Sequence, residues 1–233
     1  MNLRIDAPLL ATFPEARVGW LVASVVPVSF HPEVERLKSG LEAHLNALGL
    51  DETNLPRHPD VARWRETYSR MGVKPSKYRS SLEALARRVL KHQGLWDVSD
   101  VVDGYNALSV RHLLPMGAHD VDLLSGDLTL RFGREGEVFQ GLGDLNETVD
   151  PRQVVYADEK RVCCWLWNHR DCRDVVVSFD TRRALFLVDQ AFPPVHSSPE
   201  AILGDLESLL LALGHHPEAR GVLSASCPET PLP

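Results

Sequence analysis

The sequence has no apolar run long enough to cross a membrane. Its longest, Val18 to Phe30, is interrupted by Gly19, Ser24, Pro27 and Ser29, whereas a spanning helix needs about 20 mostly apolar residues. The opening residues, Met1 to Asp6, lack the long apolar stretch of a signal peptide. Cysteine is scarce. Cys163 and Cys164 are adjacent, Cys172 and Cys227 stand apart, and none sits in a CxxC pair. Cys164, His169 and Cys172 have ligand chemistry for zinc, but the usual second CxxC half is missing. The expectation is four buried free thiols, no metal and a cytoplasmic location. Familiar catalytic signatures are missing too: there is no Gly-rich phosphate loop, no HExxH and no GxSxG. No cofactor is expected.

What is present is ordinary in bulk and uneven in charge. The 233 residues, 44% apolar, are enough for one large domain with a core of its own. A net charge of −7 argues against indiscriminate binding to nucleic acid. Yet the segment from Asp60 to Lys91 carries nine basic residues against three acidic ones. Such an island suits local phosphate contacts, or equally two solvated helix faces.

The β-branched stretch from Val18 to Val28 predicts a core strand. A helix is expected from His31 to Leu48, where Val34, Leu37, Leu41 and Leu45 keep one stripe and Gly49 ends it. Another is expected from about Asp60 to Met71. Ser80 and Glu83 form a capping box for a helix to Lys91 with Leu82, Leu85, Ala86, Val89 and Leu90 on its apolar face. A further helix starts near Ser99 and stops before Pro115, where a Pro/Gly break leads into an acidic loop through His119 and Asp120. Short strands follow: Leu128–Phe132 and Val138–Gly141 as one hairpin, Val154–Ala157 and Arg161–Trp167 as another, then Val175–Phe179 and Ala184–Asp189. Alternation places Trp165 and Trp167 on one strand face. A last helix spans Pro199 to Leu213, and the proline-rich tail, 228–233, is expected to be loose. The fold class is α+β, with a mixed, largely antiparallel sheet flanked by helices.

The residues from Tyr68 through Arg79 to Leu85, then Asp103 to Phe132, Val154 to Asp158 and Trp167-Asn168, together resemble the editing region of the phenylalanyl-tRNA synthetase β-subunit. That region is called the B3/B4 domain, and this chain resembles a free-standing relative of it over roughly residues 60–190, more weakly beyond, so that residues 1–233 are expected to form a single domain of this kind. The resemblance implies a pocket between the helical and β portions that receives the 3′ end of tRNA. In the synthetase it hydrolyses tyrosine wrongly attached to the phenylalanine tRNA. Asn106 matches a pocket Asn of the family. The family's His, eleven residues on, falls at Gly117, with His119 two residues further, and its acid falls near Val176.

On this basis Asn106, His119 and His169 are the candidate catalytic residues, although Asn106 could instead cap a backbone group and His119 could bond Asp120. Tyr105, Gly117, Asn168 and Arg170 are candidates for substrate binding, Arg170 through its planar fork. Lys77, Arg79, Arg87, Arg88 and Lys91 are candidates for tRNA phosphates. An aminoacyl ester is already activated, so positioned water and hydrogen-bond donors can suffice for its hydrolysis. The expected function is hydrolysis of mischarged aminoacyl-tRNA in trans. The alternative is a non-catalytic module that binds an amino acid, a nucleotide or a tRNA end.

Overall fold

The computed structural model describes residues 1–143 and 145–233. The chain opens with β1 (Asn2–Ile5), α1 (Ala7–Thr12) and β2 (Arg17–Ser24). Four helices follow: α2 (Pro32–Ala47), α3 (Pro59–Arg70), α4 (Ser81–Leu90) and α5 (Asp100–His112). Then come β3 (Met116–Asp120), β4 (Leu128–Phe132), β5 (Val138–Gln140), β6 (Asn146–Thr148), β7 (Val154–Ala157), β8 (Val162–Trp165), β9 (Arg170–Asp171) and β10 (Arg183–Gln190). The chain closes with α6 (Pro199–Ala212), β11 (His216–Leu223) and β12 (Glu229–Pro231). Serine hydroxyls accept from backbone N–H groups at the starts of α4, α5 and α6, which satisfies donors that a first helical turn leaves free.

Two main sheets form. One has the order β12-β1-β4-β7-β8-β9 and the other β11-β2-β10-β3. Every pairing is antiparallel except β1 with β4. The architecture is α+β, as the run of helices followed by short strands predicts. Strand β10 is buried on both faces. Leu185 and Leu187 join a core between the sheets, while Phe186 and Val188 join a second core beneath α5 and α6. A third core lies among α2, α4 and α5. Among the described residues no helix is long and apolar enough to cross a membrane.

The apolar face of α4 is buried as its spacing predicts. Leu85→Ala should lower stability by about 2–5 kcal/mol, the usual cost of a large-to-small change in a core. An unchanged urea midpoint would show that this face carries no packing.

Several expectations are corrected. Residues Met116–Asp120 form a strand, not a loop, because they pair with Val188–Ala184 of β10. Strands β4 and β5 make no hairpin. Both edges of β4 are taken, by β1 and β7, so β5 pairs with β6 instead. Val175–Phe179 is not a strand: it contributes one bridge, Val176 to His119, and then turns around the Thr181 hydroxyl. Alternation fails after Trp165, because Leu166 and Trp167 adopt φ of 54° and 66°. The tail is held, since Asn2–Arg4 pair with Pro231–Glu229 and Leu232 is buried. Of the four thiols, Cys227 is exposed. The capping box is half made. Ser80 Oγ accepts from the Glu83 N–H, but the Glu83 carboxylate turns to arginines.

Candidate functional site

Where the two sheets face each other they leave a cavity of about 50 Å³. One wall comes from β3 and β10. Gly117 pairs with Leu187 in register, and the side-chain period of two puts His119 and Asp189 on that same face. The opposite wall is a transverse row on adjacent strands, Tyr156 of β7, Cys164 of β8 and Asp171 of β9. The turn after β8 closes the end with Trp167, Asn168, His169 and Arg170, and Ser81 at the start of α4 completes the rim.

That turn is tied down at every residue. The Trp167 N–H donates to the Val154 carbonyl at 2.6 Å, Asn168 to Leu166 at 2.8 Å and His169 to Trp165 at 3.1 Å. The Asn168 carbonyl accepts from the Ser81 N–H at 3.0 Å, joining the turn to α4. Two successive non-glycine residues with φ near +60° are sparsely populated and persist only where surroundings fix them. Here the left-handed pair drives Trp167 and Asn168 into the gap between the sheets.

Asp189 is the electrostatic centre. Burial pushes its carboxyl from 3.8 up to about 7, opposed by donors from Tyr156, Asn168 and Trp167, with Asp171 adding a further push upward. The Tyr156 hydroxyl donates to it at 2.5 Å. Tyr68 Oη donates to Asn168 Oδ1 at 3.1 Å, which turns the amide N–H₂ inward. Trp167 Nε1 and Asn168 Nδ2 nonetheless lack a close hydrogen-bond partner of their own. So do His119 Nδ1 and Ser81 Oγ, and all four atoms belong to cavity residues.

The two histidines differ. His119 is almost fully buried, and burial lowers its pKa against the pull of Asp171 and Asp158. His169 is half-buried and its ring sits edge-on to Tyr78 and Trp165. Its Nδ1 lies 2.7 Å from the Arg79 carbonyl, which can only accept. Nδ1 therefore carries the proton, and in the neutral ring Nε2 keeps its lone pair. Burial lowers the pKa of His169 as well, so the neutral ring prevails at pH 7. Burial, and the carboxylates of Asp171 and Asp189, push the Cys164 thiol far up. It stays protonated and is no nucleophile.

A model of the B3/4 domain matches residues 63–201, more than half of the chain. The chain belongs to the B3/4 domain family. Phenylalanine–tRNA ligase beta subunits are similar to it over short stretches: 39% identity over 66 residues in Solibacter usitatus, 36% over 73 in Neisseria meningitidis serogroup B, and 33% over 100 in Bartonella quintana. Those stretches are 28%, 31% and 42% of this chain, and 9%, 9% and 11% of the ligase subunits. The chain thus matches about a tenth of the length of these curated relatives. An N-terminal fragment of the phenylalanyl-tRNA synthetase beta-subunit from Pyrococcus horikoshii aligns with 92% of this chain and 49% of its own, with a TM-score of 0.48 and 10% identity.

In this B3/4 domain, Gly117, His119, Asn168, His169 and Arg170 meet at one cavity. Asn106 and Tyr105 do not line it. They lie on α5, which packs on the opposite face of the β11-β2-β10-β3 sheet, where Tyr105 meets Phe186 edge-on at 6.1 Å. Val176 brings no acid, but β10 supplies one in Asp189. Sequence reasoning missed Asp189, Tyr156, Asp171, Ser81 and Trp167 as site residues. A carboxylate at the end of the run from Ala184 to Val188 was the available signal, because an unpaired charge is costly in a strand buried on both faces.

The basic island is partly structural. Fully buried Glu83 accepts from Arg65 Nη1 at 2.8 Å and Arg87 Nε at 3.1 Å, and lies 3.7 Å from Arg79 Nε. Arg88 stacks over Trp96 at 3.9 Å and donates to the Gly94 carbonyl. Lys91 pairs with Glu52 at 3.8 Å. Lys77 is exposed, its Nζ 4.8 Å from the Tyr78 ring. Glu35, Asp97 and Asp103 are the group with metal-ligand spacing among the described residues, and the Lys38 ammonium already sits among them. Cys164, His169 and Cys172 do not reach such spacing.

Proposed function

We propose that this B3/4 domain hydrolyses the ester of a mischarged aminoacyl-tRNA in trans. The observation that carries the proposal is His169. It lines the cavity as a neutral imidazole of fixed tautomer, with Nε2 free to accept a proton. The acyl group enters the cavity and the ester carbonyl lies at its mouth. Water attacks the carbonyl carbon while His169 Nε2 takes its proton. The bond between that carbon and the ribose oxygen then breaks, and the proton passes to the leaving oxygen. Free amino acid and uncharged tRNA are the products. Donors at the rim, the Ser81 hydroxyl and the exposed Arg170 guanidinium, face the developing oxyanion. Exposed Lys77 is left for acceptor-stem phosphates, since Arg79 and Arg87 are engaged by Glu83.

The test is deacylation of a panel of mischarged tRNAs across pH. The base must be neutral, so kcat/KM should rise with pH through an inflection below the ordinary histidine value of 6.5. His169→Gln should lower the rate by about 10²–10⁴ and remove that inflection. Retention of both rate and inflection in the variant would exclude His169 as the base.

A further inference from the structure

We infer, on the strength of the hydrolytic reading above, that the acyl group this cavity selects is small and hydroxylated, of the size of a seryl group. Volume decides the first part. A water needs about 10–15 Å³ of such space, whereas an apolar cavity that takes benzene measures about 150 Å³. At about 50 Å³ the space between the sheets holds a few atoms of water size and no aromatic ring.

Hydrogen bonding decides the second part. Trp167 Nε1 and Asn168 Nδ2 are donors only, both residues are more than nine-tenths buried, and both atoms face the Asp189 carboxyl without closing a hydrogen bond to it or to any other group. His119 Nδ1 is likewise buried and unpartnered. An unpaired buried donor costs free energy, so whatever fills the space must bring an oxygen acceptor. Asp189 stands beside those donors and accepts. A methyl group would satisfy none of these atoms. An ammonium would satisfy only Asp189, and a second carboxylate would be repelled by it. A hydroxyl accepts from the indole or amide N–H and donates to Asp189. Gly117 keeps the space open on the β3 side. A Cβ built there would meet nothing nearer than Asp171 Oδ1 at 3.9 Å.

A site built to hydrogen-bond a hydroxyl discriminates strongly against analogues that lack it. The wild-type domain should therefore deacylate seryl-tRNA at least about 10²-fold faster than alanyl-tRNA, with tyrosyl-tRNA slower still. In parallel, calorimetry should rank non-hydrolysable 3′-seryl-, alanyl- and tyrosyl-amido adenosine in the same order. Trp167→Phe keeps the bulk of the ring and removes the donor, and should cut the seryl-over-alanyl preference by about tenfold or more. Faster turnover of tyrosyl-tRNA than of seryl-tRNA would overturn the inference and leave ester hydrolysis standing. If no tRNA is deacylated, hydrolysis fails and the adenosine analogues decide. Preferential seryl binding lost in Trp167→Phe would sustain the inference as recognition, and equal or absent binding would overturn it.

Discussion

Asp189→Asn is expected to stabilise the protein at pH 8 while it damages the site. The wild-type carboxyl titrates near 3.8 in the unfolded chain and at about 7 when folded. A folded pKa above the unfolded one means that the folded state binds the extra proton between those values. Stability from this group is therefore complete at low pH and is lost as pH rises towards 7. At about 1.4 kcal/mol per pH unit, the ionised form costs up to about 4 kcal/mol. Asparagine has nearly the same shape, still accepts from Tyr156 and never ionises. Its own N–H₂ faces the donors of Trp167 and Asn168, so the net gain should fall below that ceiling. Urea unfolding at pH 5 and pH 8 reads the difference directly. The advantage of the variant over wild type should grow across that interval and level off above pH 7. An equal effect at both pH values would show that the carboxyl is not held in its protonated form. In the rate profile, the same substitution should remove any inflection near pH 7.

Glu83→Ala should have a large cost to the fold. The carboxylate is completely buried and holds Arg65 and Arg87 directly, with Arg79 alongside. Removing the buried acid leaves like charges together; the cost for a wholly buried cluster is about 3–5 kcal/mol, and here it should fall below that because the three arginines are each partly exposed to water. Arg87→Met should cost less, because Arg65 still faces the acid. The consequence reaches the site, since α4 presents Ser81 to the Asn168 carbonyl. The denaturant midpoint should fall sharply for Glu83→Ala and modestly for Arg87→Met. Equal midpoints in the two variants would mean that the arginines are satisfied by solvent and that Glu83 holds nothing together.

These two acids mark the boundary of what the sequence discloses. The buried face of α4 is legible because Leu82, Leu85 and Val89 recur at helical spacing. Glu83 is not, since a carboxylate three residues after Ser80 reads as a cap until Arg65 is known to approach from another helix. Strand β3 is hidden by its own composition: Pro115 precedes it, and Gly117, His119 and Asp120 within it read as a loop. Gly117 and His119 stand in a strand because their face lines a polar cavity rather than an apolar core. Trp167 follows Trp165 at strand spacing, and nothing local announces the left-handed residues that break the alternation. Of the cavity residues, Asn168 lies in a stretch that carries the family likeness, and His169 is suggested by its place in a turn after a strand. Asn106 was not placed correctly by that likeness, because only the fold reveals that a sheet separates α5 from the cavity.

The outer strands of the larger sheet bear on behaviour at high concentration. A sheet edge is an open row of donors and acceptors that invites another chain to add to it. Here β9 offers two residues, too few to template an addition. At the far side, β12 lies over β1 and turns outward a short Glu-Thr-Pro segment whose proline has no N–H to offer. Removing residues 228–233 would uncover β1, whose Leu3 and Ile5 are apolar, and the shortened protein would be prone to edge-to-edge aggregation.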